Sequence, residues 1–316
     1  MARTSRTDST TPQKVADVRV PGRRSEHAVM TGLRGAWLVL PVALGPAVAD
    51  ALHDISTGPR SLASVTLWVL WAIGLTATLI PLPVTLTALR LGAPAVGVVA
   101  AWSASASDGA ISTLPGLLIA TAVVTTAFSA PVVDRFVDGA SYGDERRFGL
   151  RAPGPVVLVL GPLATAVAIS GLSMGPILLL DGRWVTGAIA TIVGMPAAAA
   201  AIRALHRLSR RWIVLVPAGF VLHDYLALTE PTLLQRAGLL WIRAAPVDTN
   251  ALDLTQQARG LALEVTCREP HDVLPASRGS TGGRAVEVRS IDAFICSPLR
   301  PDVVLAAAAQ RLLPVR

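Results

Sequence analysis

The sequence predicts an α-helical membrane bundle of six spans followed by a small cytoplasmic β-rich domain, a curved sheet or barrel of six or seven strands with a C-terminal helix. Three observations predict it. First, 52% of the 316 residues are hydrophobic and only 16% are charged, against roughly 25% charged in an average soluble protein. Second, the apolar text runs in long blocks as far as residue 205 and in short, punctuated runs from residue 210 on. Third, Lys and Arg are concentrated in alternate connections between the long blocks.

Residues 1–34 are rich in Ser, Thr and Arg and hold no aromatic side chain and no apolar period, so they are expected to form a disordered cytoplasmic tail. Ala47-Val48-Ala49 has the small-residue form of a leader cleavage site, but 34 residues precede the apolar run, far more than a leader's basic region, so cleavage is not expected. A membrane helix needs about 20 mainly apolar residues. Six stretches meet or approach that length within 35–205: 35–52, 65–89, 92–112, 114–133, 154–180 and 184–204. The third is the weakest, rich in small residues and Ser and reaching Asp108, and leaves a tilted or re-entrant piece open.

Orientation follows from the basic residues of the short loops. The tail, Arg90, the fourth loop (Arg135, Arg146, Arg147, Arg151) and the exit of the sixth span (Arg203, Arg207, Arg210, Arg211) hold sixteen, while the other three connections hold only Arg60 and Arg183. Both termini are therefore expected in the cytoplasm, and five spans would spoil the count. Trp37, Trp68, Trp71 and Trp184 are expected near span ends, where amphipathic rings favour the interface. Arg outnumbers Lys 27 to 1, which reads as the coding bias of a high-GC bacterium and carries little physical meaning; the expected location is a bacterial plasma membrane.

Ionisable groups deep in a span mark ion or substrate paths. None is expected at a midplane here, since Asp50, His53, Asp54 and Asp108 sit at outer ends. That weighs against a proton- or sodium-coupled pump but leaves a neutral-solute path open, and Pro and Gly are frequent in the spans. Gly171-Leu-Ser-Met-Gly175 is a GxxxG, read as close helix packing within the molecule. The loop 134–153 carries Asp134, Asp138, Asp144 and Glu145 beside four Arg. It reads as a solvated, self-neutralising loop, with a Mg²⁺–phosphate site as the minor alternative.

After residue 206 the period changes. Trp212–Val216 and Phe220–Asp224 flank Pro217-Ala218-Gly219 and predict a hairpin. Leu239–Arg243 and Leu252–Thr255 are further short runs. In 261–267, Leu261, Leu263, Val265 and Cys267 share one face and Ala262, Glu264 and Thr266 the other, the period of a half-buried strand. Residues 286–290 and Ile291–Cys296 predict two more strands, with 275–284 a loop. Pro301 and Asp302 suit a first helical turn, and Val304, Ala308 and Leu312 give that last helix its apolar face. Cys267 and Cys296 make no zinc or CxxC spacing and read as small buried hydrophobes.

Residues 210–224, RRWIVLVPAGFVLHD, and 296–312, CSPLRPDVVLAAAAQRL, are similar to the bacterial pleckstrin-homology-like domains, over roughly 207–316. The whole chain resembles a group of uncharacterised multi-pass membrane proteins of actinobacteria. The resemblance implies the fold and a cytoplasmic adaptor style, and no particular ligand. Some pleckstrin-homology domains hold phosphoinositides through basic residues of the first hairpin, where this chain has Pro-Ala-Gly.

The sequence holds no Ser-His-Asp order, HExxH, GxSxG or P-loop, so no catalytic residue, metal or cofactor is expected. Residues 207–316 carry 13 basic and 10 acidic residues, without the dense basic stripe of a nucleic-acid binder. The expected partners are the lipid bilayer and a cytoplasmic protein, peptide or lipid headgroup. The expected function is that of a membrane-bound binding or scaffold protein; the alternatives are a transporter or channel for a neutral or lipid-like solute, and an enzyme built on loop 134–153. Arg203, Arg207, Arg210, Arg211, Arg146 and Arg147 are candidates for contact with anionic lipid, and Gly171 and Gly175 for helix packing.

Overall fold

A computed structural model describes residues 22–106, 110–276 and 288–316. Its first part is helical: α1 (Arg23–Ala51), α2 (Thr57–Leu79), α3 (Pro83–Ala106), α4 (Ala110–Ala127), α5 (Ala130–Asp138), α6 (Gly161–Leu180) and α7 (Trp184–Leu208). Among the described residues, five helical stretches are long and apolar enough to cross a membrane, or six if the α4–α5 pair, bent by 56°, counts as one. A π-helical turn at Val156–Leu160 leads into α6. Pro162 lies behind it; it has no N–H to give the α-helical ladder and crowds the preceding turn, so the backbone widens there.

The helix boundaries differ from the sequence expectation at three places. Residues 23–34 are helical rather than disordered, because α1 starts at Arg23 and buries Glu26, Met30 and Leu33. The second span ends at Leu79 and the third begins at Pro83, nine residues earlier than the expected start at 92. Pro81 and Pro83 cause the break, since residues before proline leave the α region and proline itself suits the first helical turn. Arg34 then donates to the Thr78 carbonyl from Nε (3.0 Å) and Nη2 (2.9 Å), satisfying the end of α2. Arg90 consequently lies inside α3 rather than in a loop. The fourth apolar block is split at Phe128-Ser129 into α4 and the short α5, with Pro131 in the first turn of α5. Asp108 lies outside the described residues, as do most of 1–34 and 275–284 and the first two residues of the expected strand 286–290.

Apolar residues of α1 at three- and four-residue steps, Met30, Leu33, Trp37, Leu40, Leu44 and Ala47, face the bundle interior. Trp37 is not at an interface as expected: it is 1% exposed and mid-helix, and its ring fills the space over Gly74, where a Cβ would come within 1.8 Å of it. Trp37 Nε1 donates to the Trp71 carbonyl (3.0 Å) and Trp71 Nε1 to the Trp37 carbonyl (2.8 Å), locking α1 to α2. The α6–α7 hairpin meets the other helices chiefly through α3, and its flanks expose Leu158, Leu163, Ile177, Val185, Ile189, Ile192 and Val193.

The second part is sheet-rich. β1 (Arg146–Gly149), β2 (Trp212–Val216), β3 (Gly219–His223) and β4 (Thr232–Gln235) form one antiparallel sheet in that order. β5 (Leu239–Ala244), β6 (Leu252–Asp253), β7 (Leu263–Val273) and β8 (Arg289–Cys296) form the second, in the order β5-β7-β8-β6, with β6 parallel to β8. Among the described residues the two sheets stay separate rather than closing into a barrel. The expected hairpin is present as β2–β3, with Val216 opposite Gly219, where a Cβ would lie 2.0 Å from the Leu234 carbonyl oxygen. β4 was not expected, and β1 comes from the loop between spans, outside 207–316.

Ile213, Leu215, Phe220, Leu222 and Leu234 of the first sheet and Ile242, Leu263, Val265, Phe294 and Cys296 of the second face one another in one core. Helix α8 (Pro301–Gln310) adds Val304, Ala307 and Ala308 to that core. Leu312 is 79% exposed, beyond the end of α8, and Leu313 takes the core position instead. Both cysteines are buried thiols as expected. The outer side of the first sheet, at Trp212 and Val214, packs with Val132, Val133, Phe136 and Val137 of α5 into the core of the helical part.

Candidate functional site

The charged residues of loop 134–153, Glu26 in the first turn of α1 and Arg300 just before α8 converge where the two parts meet. Asp134 of α5 is fully buried; one carboxylate oxygen accepts the Gly149 N–H (2.8 Å) and the other Arg300 Nε (2.6 Å). Glu26 of α1 accepts Arg146 Nη2 (2.6 Å) and also Arg300 Nη2. Asp138 accepts the Arg147 N–H (3.0 Å) and Ser141 Oγ (3.0 Å), with Arg146 Nε 3.7 Å away. Arg300 directly precedes α8, so this clasp joins α1, α5, β1 and α8. Burial pushes the Asp134 carboxyl up to about 6 against the pull of Arg300 and the Gly149 N–H. Main-chain bonds reinforce the clasp: Leu299 N to Gly149 O (2.9 Å) and Arg151 N to Ser297 O (2.8 Å). The loop is thus an integral piece of the sheet and not a solvated, self-neutralising loop. Its buried charges are neutralised chiefly by Glu26 and Arg300 from elsewhere in the chain, inside the protein where unpaired charge is costly.

Two of the six arginines read as lipid contacts are buried in ion pairs. Arg146 is 1% exposed within the clasp. Arg211 is 3% exposed and holds Asp224 through Nε (2.8 Å) and Nη2 (2.7 Å), a bidentate pair that tethers the turn after β3. Arg147 is half-buried, bonded to Glu145 (3.1 Å) and lying over the Trp212 ring at 5.6 Å. Arg203, Arg207 and Arg210 are exposed, Arg210 lying over Tyr225 at 5.6 Å. Gly171 and Gly175 both lie in the α6–α7 contact: Cβ atoms there would sit 2.4 Å from the Gly194 carbonyl oxygen and 2.1 Å from Thr191 Oγ1.

The outer face of the second sheet, turned away from the helices, carries a groove of about 820 Å³, within the size range of ligand sites. Its floor is the outward set of β5, β7 and β8: Trp241, Arg243, Glu264, Thr266 and Ala293. The guanidinium groups of Arg243 and Arg316 each lie 5.3 Å from the centre of the Trp241 ring. Glu264 is 3% exposed and accepts Arg243 Nε (2.9 Å) and Nη2 (2.7 Å) and Thr249 Oγ1 (2.5 Å). Burial works to raise the Glu264 carboxyl, but the Thr249 and Arg243 hydrogen bonds outweigh it and hold the group below its usual range. Asp248 and Asp292 also line the groove. The surface therefore offers a pinned aromatic ring, fixed guanidinium donors and carboxylate acceptors.

Comparisons with protein-family models, curated proteins and solved structures return no match to the chain. Sequence reasoning missed Glu26, Arg300 and the groove residues. For the groove a signal exists: polar side chains on alternate positions of 241–243 and 264–266 mark the outward side of two strands. For Glu26 and Arg300 the only signal is a lone acid before an apolar run and an Arg before a helix-starting Pro.

Proposed function

We propose that the chain is a six-span integral membrane protein of the bacterial plasma membrane with both termini in the cytoplasm, acting as a binding or scaffold protein. Its pleckstrin-homology-like sheet domain is held rigidly at the membrane and presents the outer groove to a cytoplasmic protein or peptide. The groove on the face turned from the helices carries this reading, because a platform clamped on one side leaves that face for recognition. The start of α1, the end of α2, the start of α3 and α5 gather at the same end as the sheets, which suits an even number of crossings with cytoplasmic ends. Two facing sheets with a helix in their core support the pleckstrin-homology-like assignment; β1 is an addition to it. The Trp37 ring packed over Gly74 closes the α1–α2 contact, which favours tight packing there over a solute path.

The test is photo-crosslinking in cells from the full-length chain, with the reactive residue in place of Thr266 in the groove or of Leu172 on α6. A discrete protein adduct from position 266, abolished by Trp241→Ala, is expected. A correctly inserted chain that gives no adduct there, or that carries solute into vesicles, overturns the reading.

A further inference from the structure

The second sheet has two edges, and they are not closed alike. β5 is covered on its outer side by the end of the chain: Ile242 N donates to the Pro314 carbonyl (2.7 Å) and Arg316 N to the Ile242 carbonyl (3.1 Å). At the other edge β6 lies parallel to β8, but it pairs only Leu252 with Phe294 and Asp253 with Ile295. Leu254 N donates to the Ile295 carbonyl (3.1 Å), so this side of β8 offers main-chain groups to a neighbour. Residues 289–293 lie against β7 on one side, and among the described residues no strand pairs with them on the other.

The groove of the outer face reaches this open edge. A cavity lying on one face of a sheet meets every second residue of a strand. That holds for β5 and β7, which line the groove with Trp241 and Arg243 and with Glu264 and Thr266. β8 instead lines it with each residue from 289 to 293, so the groove borders the edge of β8 as well as its outer face. The opposite wall is the chain that leads from β5 to β6 across the outer face, pinned there by Thr249 Oγ1 on Glu264 (2.5 Å). The open run is about 17 Å long, at about 3.4 Å per residue, and continues the line of β6. A row of unpaired N–H and C=O groups is complementary to one kind of partner, another extended main chain.

We propose that the groove takes an extended peptide segment of a cytoplasmic protein as an added strand beside residues 289–293 of β8. Its main chain fills the place next to β8 that β6 leaves open. Alternate side chains of the segment turn into the groove, where the small Ala293 leaves them room to reach Thr266. Arg289 and Asp292, both exposed, select an acidic and a basic side chain along it. The proposal rests on the reading of the groove as a recognition surface and specifies what enters it.

The test uses the full chain in nanodiscs and a displayed library of random peptides of about ten residues, long enough to span the run. The most enriched peptide is then made with a methyl on one main-chain nitrogen at a time. The methyl removes a donor and leaves the side chains alone, so in an added strand affinity should fall about tenfold or more at every second position and change little at those between. Amide exchange in 289–293 should slow when the unmodified peptide binds, and Arg289→Glu combined with Asp292→Lys should enrich peptides of the opposite charge order. A library that yields no binder, a methyl scan without alternation, or binding that leaves exchange in 289–293 unchanged overturns the proposal. Should position 266 still give its protein adduct in cells, the recognition surface stands without the added strand; should that adduct be missing too, the recognition surface falls with it.

Discussion

Arg300→Met tests the clasp most directly. Among the described residues, Arg300 is the only side chain that bonds both Glu26 and Asp134, whose side chains are 3% and 1% exposed. Its loss leaves Arg146 as the remaining cation of the clasp against three carboxylates, Glu26, Asp134 and Asp138. Asp134 then keeps only the Gly149 N–H. Removing one partner of a buried pair costs about 3–5 kcal/mol, because the other charge stays buried. Unfolding of the sheet-rich part in nanodiscs at pH 7.5, followed by urea titration and amide exchange in β1 and α8, should show a loss of that size, with α8 and β1 the first amides to open.

A compensated variant makes the reasoning refutable. Glu26→Gln and Asp134→Asn combined with Arg300→Met remove the stranded charges along with their partner. Exchanging a whole buried ionic group for neutral side chains is often close to neutral, so this triple variant should recover most of the loss. A single Arg300→Met variant within about 0.5 kcal/mol of wild type, the level of ordinary surface substitutions, would show that the clasp does not hold the two parts together. A triple variant no better than the single one would show that Arg300 acts through packing and not through charge.

Three further outcomes follow from packing and titration. Gly74→Ala places a methyl 1.8 Å from the Trp37 ring, so thermal unfolding of the helical part should fall by about 1–3 kcal/mol, the usual cost of overpacking; an unchanged midpoint would show that the ring is not confined there. Burial raises the Cys267 thiol and pushes Cys296 up to about 12, so neither should react with iodoacetamide at pH 8 until urea unfolds the sheets, as mass spectrometry of the alkylated chain will report. Because the folded Asp134 carboxyl is raised from 3.8 to about 6, the folded state holds its proton more tightly than the unfolded state. Its contribution is full at acid pH and is lost as pH rises through about 6; Asp134→Asn should flatten that part of the stability–pH curve, and an unchanged slope would refute the assignment.

The elements legible in the sequence are those whose signal is local. The long apolar blocks, the β2–β3 hairpin around Pro217-Ala218-Gly219, the alternation of Leu263, Val265 and Cys267, and the Pro301 start of α8 each depend on a few consecutive residues; Leu261, expected on the same buried face, lies before β7 and is 71% exposed. Even Glu264 was placed on the correct face of its strand; only its burial was unforeseen, because Arg243 and Thr249, which cover it, come from elsewhere in the chain. The charges of loop 134–153 were misread for the same physical reason. Acids and arginines close together in sequence look self-neutralising, yet Arg146 is neutralised mainly by Glu26, 120 residues away, and Asp134 by Arg300, 166 residues away. A short strand such as β1 carries no period of its own to reveal that it completes a sheet whose other strands begin only at Trp212. Charge in loops therefore separates into two kinds that composition cannot tell apart: cations left exposed, as at Arg203 and Arg207, and cations consumed in holding the molecule together, as at Arg146 and Arg211. Only the fold decides which is which, and here it assigns the second role to the loop that joins the helices to the sheets.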